Sequence, residues 1–155
     1  MQRKLYISIL FLTALIFSVN AQRIVIGEKA PDVKVAVWDR DIAPKSVSKA
    51  VLLDFFHSAN DQCVKNMPVL NSLQEKYGDK LSVIIITRET GDKMAPIING
   101  KNYRFFVGYD GEGKTFTSYG VRFVPFSVLI NSGGRVAWTG NISSLTEDVI
   151  NKALR

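Results

Sequence analysis

The sequence is poor in cysteine and histidine: its 155 residues include one of each, Cys63 and His57. A single cysteine cannot form an intramolecular disulfide, so the fold is not a disulfide-stabilised scaffold. No cluster of metal-ligating residues accompanies these two, and we expect neither a metal site nor a cofactor. Three roles stay open for Cys63: a buried structural residue, a reactive monothiol, or one half of an intermolecular disulfide.

The sequence also lacks a dense run of basic residues. Its formal net charge is +6, but the lysines and arginines are scattered along the chain. Nucleic-acid binding proteins concentrate such charge on one stripe or face, so we expect no nucleic-acid partner.

No hydrophobic run is long enough for a membrane-spanning helix. The apolar run at residues 5–19 is about 15 residues long, against roughly 20 for a span. Arg3 and Lys4 precede it, and Val-Asn-Ala at residues 19–21 suits a signal peptidase. We therefore predict a cleaved signal peptide at residues 1–21, with an uncleaved N-terminal anchor as the alternative. Residues 22–155 would then form one domain, with a net charge of about +4 and no membrane attachment.

Strand and helix patterns alternate along the rest of the chain. The residue after Asn60 begins a helix whose apolar face we predict to include Val64 and Met67, with Gly78 as a left-handed cap. A capping box at residues 144–147 predicts the start of the last helix. This alternation favours an α/β domain with a mixed central β-sheet. Predicted strands lie at residues 33–37, 50–56, 81–86, 103–107, 126–130 and 135–138, and further helices at 91–98 and 115–119.

Three stretches carry a family resemblance. The strand at residues 51–56 is followed by Asn-Asp-Gln-Cys at 60–63 and by Met67-Pro68. Residues 119–125 form a proline loop, and residues 128–136 a hairpin. Together they resemble the thioredoxin superfamily, in particular the exported TlpA/ResA-like thiol-disulfide oxidoreductases. The resemblance implies a thioredoxin-like fold with helices flanking the sheet, and a bacterial periplasmic location.

The resemblance also implies which residues form a site. Val124 and Pro125 correspond to the cis-proline loop, which in the family pairs with substrate backbone. Asn60 occupies the position of the attacking cysteine, so the Cys-x-x-Cys motif is degenerate and only Cys63 remains. Asparagine is a preferred helix N-cap, so the substitution keeps the helix start and discards the nucleophile. Asp54 corresponds to the family's buried carboxylate, which assists proton transfer at the second thiol.

The reactivity of Cys63 is open at this level. A helix N-terminus lowers the pKa of a thiol, whereas a nearby carboxylate such as Asp54 raises it. Two functions follow. In the first, the protein is an exported redox protein with altered or lost dithiol reductase activity, in which Cys63 forms adducts with exported thiol proteins or small thiols. In the second, it is a non-catalytic module that binds extended peptides in the groove beside Pro125.

A third reading is a one-cysteine peroxidase. Peroxiredoxins carry a threonine three residues, and a proline seven residues, before the reactive cysteine, where this chain has Asn60 and Phe56. His57 before the turn is either a local base or pH sensor, or a solvent-facing loop residue. We interpret Trp38 and Trp138 as packing residues.

Overall fold

Strands and helices alternate along residues 23–45 and 49–155, the part of the chain that the computed structural model describes. The predicted signal peptide lies outside these residues. No helix within them is both long enough and apolar enough to cross a membrane. The strands are β1 (Val37–Trp38), β2 (Ala50–Phe56), β3 (Leu81–Thr87), β4 (Phe106–Tyr109), β5 (Phe126–Ile130) and β6 (Val136–Gly140). The helices are α1 (Asp61–Tyr77), α2 (Gly91–Ile98), α3 (Lys114–Ser118) and α4 (Glu147–Ala153), with 3₁₀ turns at Asp39–Asp41 and Ile142–Ser144.

The strands of the described residues form one mixed sheet in the order β1-β4-β3-β2-β5-β6. β2 pairs in parallel with β3, and β3 with β4, whereas β5 runs antiparallel to β2. Because β2 is central, its side chains are buried on both faces. Leu52 and Phe56 pack with α1 on one face, and Leu53 and Phe55 pack on the other. The predicted mixed α/β architecture is confirmed.

The inward face of α1 differs from the predicted one by one position. Val64 is 37% exposed, so its prediction as a core residue is wrong. The buried residues of α1 are Cys63, Asn66, Met67 and Leu70, so the prediction for Met67 is confirmed. Cys63 and Asn66 carry polar groups, so a pattern built on apolar residues alone did not include them.

Gly78 also differs from expectation. It has a right-handed conformation, with φ −55° and ψ −20°, and is not a left-handed cap. A Cβ there would come within 2.6 Å of the Gln74 carbonyl oxygen, so close packing against the helix end favours glycine. The Gly78 carbonyl accepts a hydrogen bond from Lys49 Nζ at 2.8 Å.

Two predicted strands are shorter or displaced. The strand predicted at residues 33–37 is wrong except at its last residue, because the Lys34 backbone N–H and carbonyl both bond the Thr115 hydroxyl instead of a neighbouring strand. The strand predicted at 103–107 begins only at Phe106, because the Tyr103 N–H donates to the Lys101 carbonyl and the Arg104 N–H to Asn71 Oδ1 instead of to a neighbouring strand.

The capping box predicted at the start of the last helix is wrong by two residues. Thr146 is the N-cap of α4, and its side chain accepts from the Val149 N–H. Ser144 belongs to the preceding 3₁₀ turn, where its hydroxyl donates to the Asn141 carbonyl. Because the Ser144 side chain is used within the 3₁₀ turn, it does not cap α4 as the spacing predicted.

Candidate functional site

The candidate site lies where β2 ends and α1 begins. The chain turns over residues 57–60 and enters α1 at Asp61. The loop before β5 comes to the same place, because Phe126 pairs with Phe55 near the end of β2. The Val124–Pro125 peptide bond in that loop is cis. The fold thus brings the four-residue motif and the proline loop together, although they are far apart in sequence.

Asn60 joins the helix to the proline loop. Its Oδ1 accepts hydrogen bonds from the backbone N–H groups of Gln62, at 3.0 Å, and Cys63, at 3.1 Å. Its Nδ2 donates to the Val124 carbonyl at 3.0 Å. Asn60 is therefore the N-cap of α1, and such a cap stabilises a helix by about 1 kcal/mol. An aspartate could supply the cap but not the bond to Val124, because a carboxylate donates no hydrogen bond.

Cys63 lies behind Asn60 and has no exposed surface, at 0%. Burial is the largest influence on its thiol and raises the pKa above the ordinary 9.0. A hydrogen bond with the His57 backbone acts the other way, while the charges of Asp54 and Glu89 add to the increase. Burial and the two carboxylates outweigh the helix N-terminus, so Cys63 is a neutral thiol at neutral pH.

Asp54 is a fully buried carboxyl group on the same face of the sheet as Cys63. It accepts a 2.6 Å hydrogen bond from the Ser127 hydroxyl, its register partner on β5. Its Oδ2 has no hydrogen-bond partner among the described residues. Burial raises the pKa of Asp54 to about 7, and the Ser127 hydrogen bond limits the rise. Asp54 can thus hold a proton near neutral pH beside the thiol.

Glu89 and Ser58 are site residues that the sequence analysis missed. Glu89 follows β3, and its carboxylate accepts from the backbone N–H of Ser58 at 2.7 Å and from the Ser58 hydroxyl. Burial acts to raise the pKa of Glu89. The hydrogen bonds from Ser58 and Thr87 and the charge interaction with His57 outweigh burial, so the pKa is lowered. A signal was available, because β3 lies parallel to β2 and parallel strands end at the same edge of a sheet.

The remaining predicted residues are placed as follows. The His57 side chain is 54% exposed, and its Nδ1 accepts the Ala59 N–H at 3.1 Å, which fits a solvent-facing loop residue. Trp138 packs with the core residues on the α1 face of the sheet and Trp38 with those on the opposite face, as predicted. Among the described residues, no three His, Cys, Asp or Glu side chains are grouped to hold a metal ion.

The surface beside the proline loop carries an aromatic residue that the sequence analysis also missed. Phe123 is 83% exposed, directly before the half-buried pair Val124 and Pro125. Large exposed aromatic side chains are common at sites that bind other molecules. The site therefore has a shielded interior, formed by Cys63 and Asp54, and an apolar rim.

Three features define the thioredoxin-like class: a mixed sheet with flanking helices, a helix that begins at a four-residue motif, and a cis-proline loop that faces this motif. A profile of the AhpC/TSA family matches residues 26–139, and the chain belongs to this family.

Named relatives and solved structures agree with this class. The chain is 32% identical over 124 residues to the thiol-disulfide oxidoreductase ResA of Bacillus thuringiensis (strain Al Hakam), covering 77% of this chain and 72% of the relative. A Chlorobium tepidum protein assigned as thiol:disulfide interchange protein DsbE superposes with a TM-score of 0.74 at 27% identity, covering 85% of this chain and 99% of that one. The peroxidoxin BcpB of Mycobacterium tuberculosis shares the fold, with a TM-score of 0.66 at 16% identity over 84% of this chain and 94% of its own.

Proposed function

We propose that this protein is an exported thioredoxin-like protein that has lost dithiol reductase activity and binds extended polypeptide segments in the groove beside Pro125. The observation that carries the proposal is the placement of Asn60. By resemblance it stands at the position of the attacking thiol, and its amide connects α1 to Val124 in front of the buried Cys63.

Thiol-disulfide exchange needs one thiolate to attack a disulfide and a second thiol to resolve the mixed disulfide. Cys63 has no partner thiol in the sequence and no exposed surface. Its raised pKa also leaves little of it as thiolate. These features speak against stable adducts or an intermolecular disulfide through Cys63, and equally against a one-cysteine peroxidase, which needs an accessible thiolate.

The surface beside Pro125 has features that polypeptide binding uses. Val124 and Pro125 are only half-buried, and the exposed Phe123 offers an apolar anchor beside them. The Val124 carbonyl accepts from Asn60 and has a second lone pair with which it could accept from an added strand. The partners would be exported proteins that present an extended segment, including thiol or disulfide proteins. With the predicted signal peptide, the resemblance favours the bacterial periplasm as the location.

An insulin-reduction assay with dithiothreitol tests the loss of activity on protein lacking the predicted signal peptide. We expect the wild type to match the uncatalysed rate. Asn60→Cys should accelerate the reaction, because it restores an attacker three residues before the resolving Cys63.

The control is the double variant Asn60→Cys/Cys63→Ser, which should turn over far more slowly than Asn60→Cys, since its mixed disulfide can be resolved only by dithiothreitol and not by Cys63. Insulin reduction by the wild type that disappears in Cys63→Ser would contradict the proposal.

A further inference from the structure

Glu89 connects two loops at the candidate site. Its carboxylate accepts two hydrogen bonds from Ser58, one from the backbone N–H and one from the hydroxyl, and a third from the Thr87 hydroxyl at 3.3 Å. The Glu89 backbone N–H in turn donates to Thr87 Oγ1 at 3.2 Å. The side chain is only 11% exposed. Hydrogen bonds to a carboxylate at such a position are stronger than those between neutral groups.

The bonded residue, Ser58, is in the middle of the turn that leads into α1. The Asn60 N–H donates to the His57 carbonyl at 3.0 Å and closes this turn. The position of Ser58 therefore sets that of Asn60, whose amide caps α1 and reaches the Val124 carbonyl. The contacts form a continuous path from the end of β3, through Glu89 and Ser58, to the proline loop.

We propose that Glu89 is a positioning residue that fixes the turn between β2 and α1, and through it the Asn60 amide that joins α1 to the proline loop. For its functional meaning the inference rests on the proposed polypeptide binding. Glu89 acts through Ser58, whereas binding would involve Phe123, Val124 and Pro125.

The test follows the Asn60 side-chain amide by NMR, without any ligand. Glu89→Ala should raise the hydrogen-exchange rate of the Asn60 Nδ2 protons about tenfold, because a turn without its anchor releases the bond to Val124. Glu89→Gln keeps an acceptor oxygen and should raise the rate less than about threefold. The matched control is Glu112→Ala, which removes an exposed glutamate whose ion pair with Lys114 lies in another loop.

A pH titration adds a readout that general destabilisation would not change. The pKa of Glu89 in the folded protein lies below its ordinary value of 4.5. The Glu89 carboxylate therefore holds Ser58 above pH 4.5, and this contact is lost as the pH falls through the lowered pKa. The Asn60 amide signal of the wild type should follow this acidic transition, and Glu89→Gln should abolish it. Should Glu89→Ala not fold, Ser58→Ala loses one of the three bonds, and we expect a rise of about two- to fivefold in the exchange rate.

Three results for the Asn60 Nδ2 exchange rate would overturn the inference. They are a rate in Glu89→Ala within twofold of the wild type, a rise in Glu112→Ala equal to that in Glu89→Ala, and, where Ser58→Ala is used alone, a rate unchanged from the wild type. The result is separable from the proposed function. A wild type that binds no polypeptide refutes the binding role, while the amide exchange still decides the role of Glu89.

Discussion

At the scale of single residues, the site combines a cap, a shielded thiol and a protonatable carboxyl. Asn60 was predictable as the N-cap, because capping depends on residues within one turn of the chain. The state of Cys63 was not, since opposing effects on its pKa could be weighed only once its burial was known. Glu89 could not be assigned from its local sequence, because its partner Ser58 is 31 positions away, and only the parallel pairing of β2 with β3 could have pointed to it.

Asp54 should make the stability of the protein depend on pH near neutrality. Its pKa is about 7 in the fold against an ordinary 3.8, so between these values the folded state holds a proton that the unfolded state releases. The free energy of unfolding should therefore fall, by up to about 4 kcal/mol, as the pH rises from about 4 to about 7, and then level off.

The measurement is urea denaturation of the wild type and Asp54→Asn across this pH range. Asp54→Asn keeps an acceptor for Ser127 and should lose this part of the pH dependence. Identical pH profiles for the two proteins would show that Asp54 is ionised throughout.

At the scale of elements, the hydrophobic pattern predicted the central strands and failed where side-chain hydroxyl groups bond the backbone. The bounds of β2, β5 and α2 match the predicted ranges, because continuous apolar runs and turn residues define them. The strand prediction at 33–37 is wrong because the Lys34 backbone N–H and carbonyl bond the hydroxyl of Thr115, which is 81 residues away in sequence. The predicted start of α4 is wrong because Ser144 lies in a 3₁₀ turn, where its hydroxyl donates to the Asn141 carbonyl.

The two candidate caps of α4 can be distinguished by substitution. Thr146→Ala should destabilise the protein by about 0.5–1 kcal/mol, because it removes the acceptor for the Val149 N–H. Ser144→Ala should change stability by less than about 0.5 kcal/mol, as is usual for exposed positions. Chemical denaturation of both variants is the measurement, and a larger loss in Ser144→Ala would restore the box at residues 144–147.

At the scale of the whole molecule, the sheet order places the motif, the proline loop and Phe123 at one edge of the domain. The family resemblance predicted the first two as neighbours, whereas the exposure of Phe123 depends on how the loop leaves α3 and enters β5. The interior of the site is closed and its rim is open, so a surface role fits this arrangement better than chemistry at the thiol.

Phe123 should contribute to polypeptide binding without supporting the fold. With fluorescein-labelled, carboxymethylated insulin B chain as the probe, Phe123→Ala should weaken binding at least about tenfold, as loss of an apolar anchor does. Its unfolding free energy should stay within about 0.5 kcal/mol of the wild type, because the side chain is exposed. Fluorescence anisotropy is the measurement, with Val69→Ala, an exposed valine on α1, as the control. Equal affinity of Phe123→Ala and the wild type would remove Phe123 from the binding surface.

Cys63 is a shielded, neutral thiol behind Asn60, and the alkylation rate of Cys63 in the folded protein tests this state most directly. Measured from about pH 5 to about pH 10, the rate should stay far below that of the unfolded chain, because the thiol is buried and its pKa is raised above the ordinary value. Fast alkylation of the folded protein with an apparent pKa below about 7 would instead reveal an activated monothiol and contradict the account.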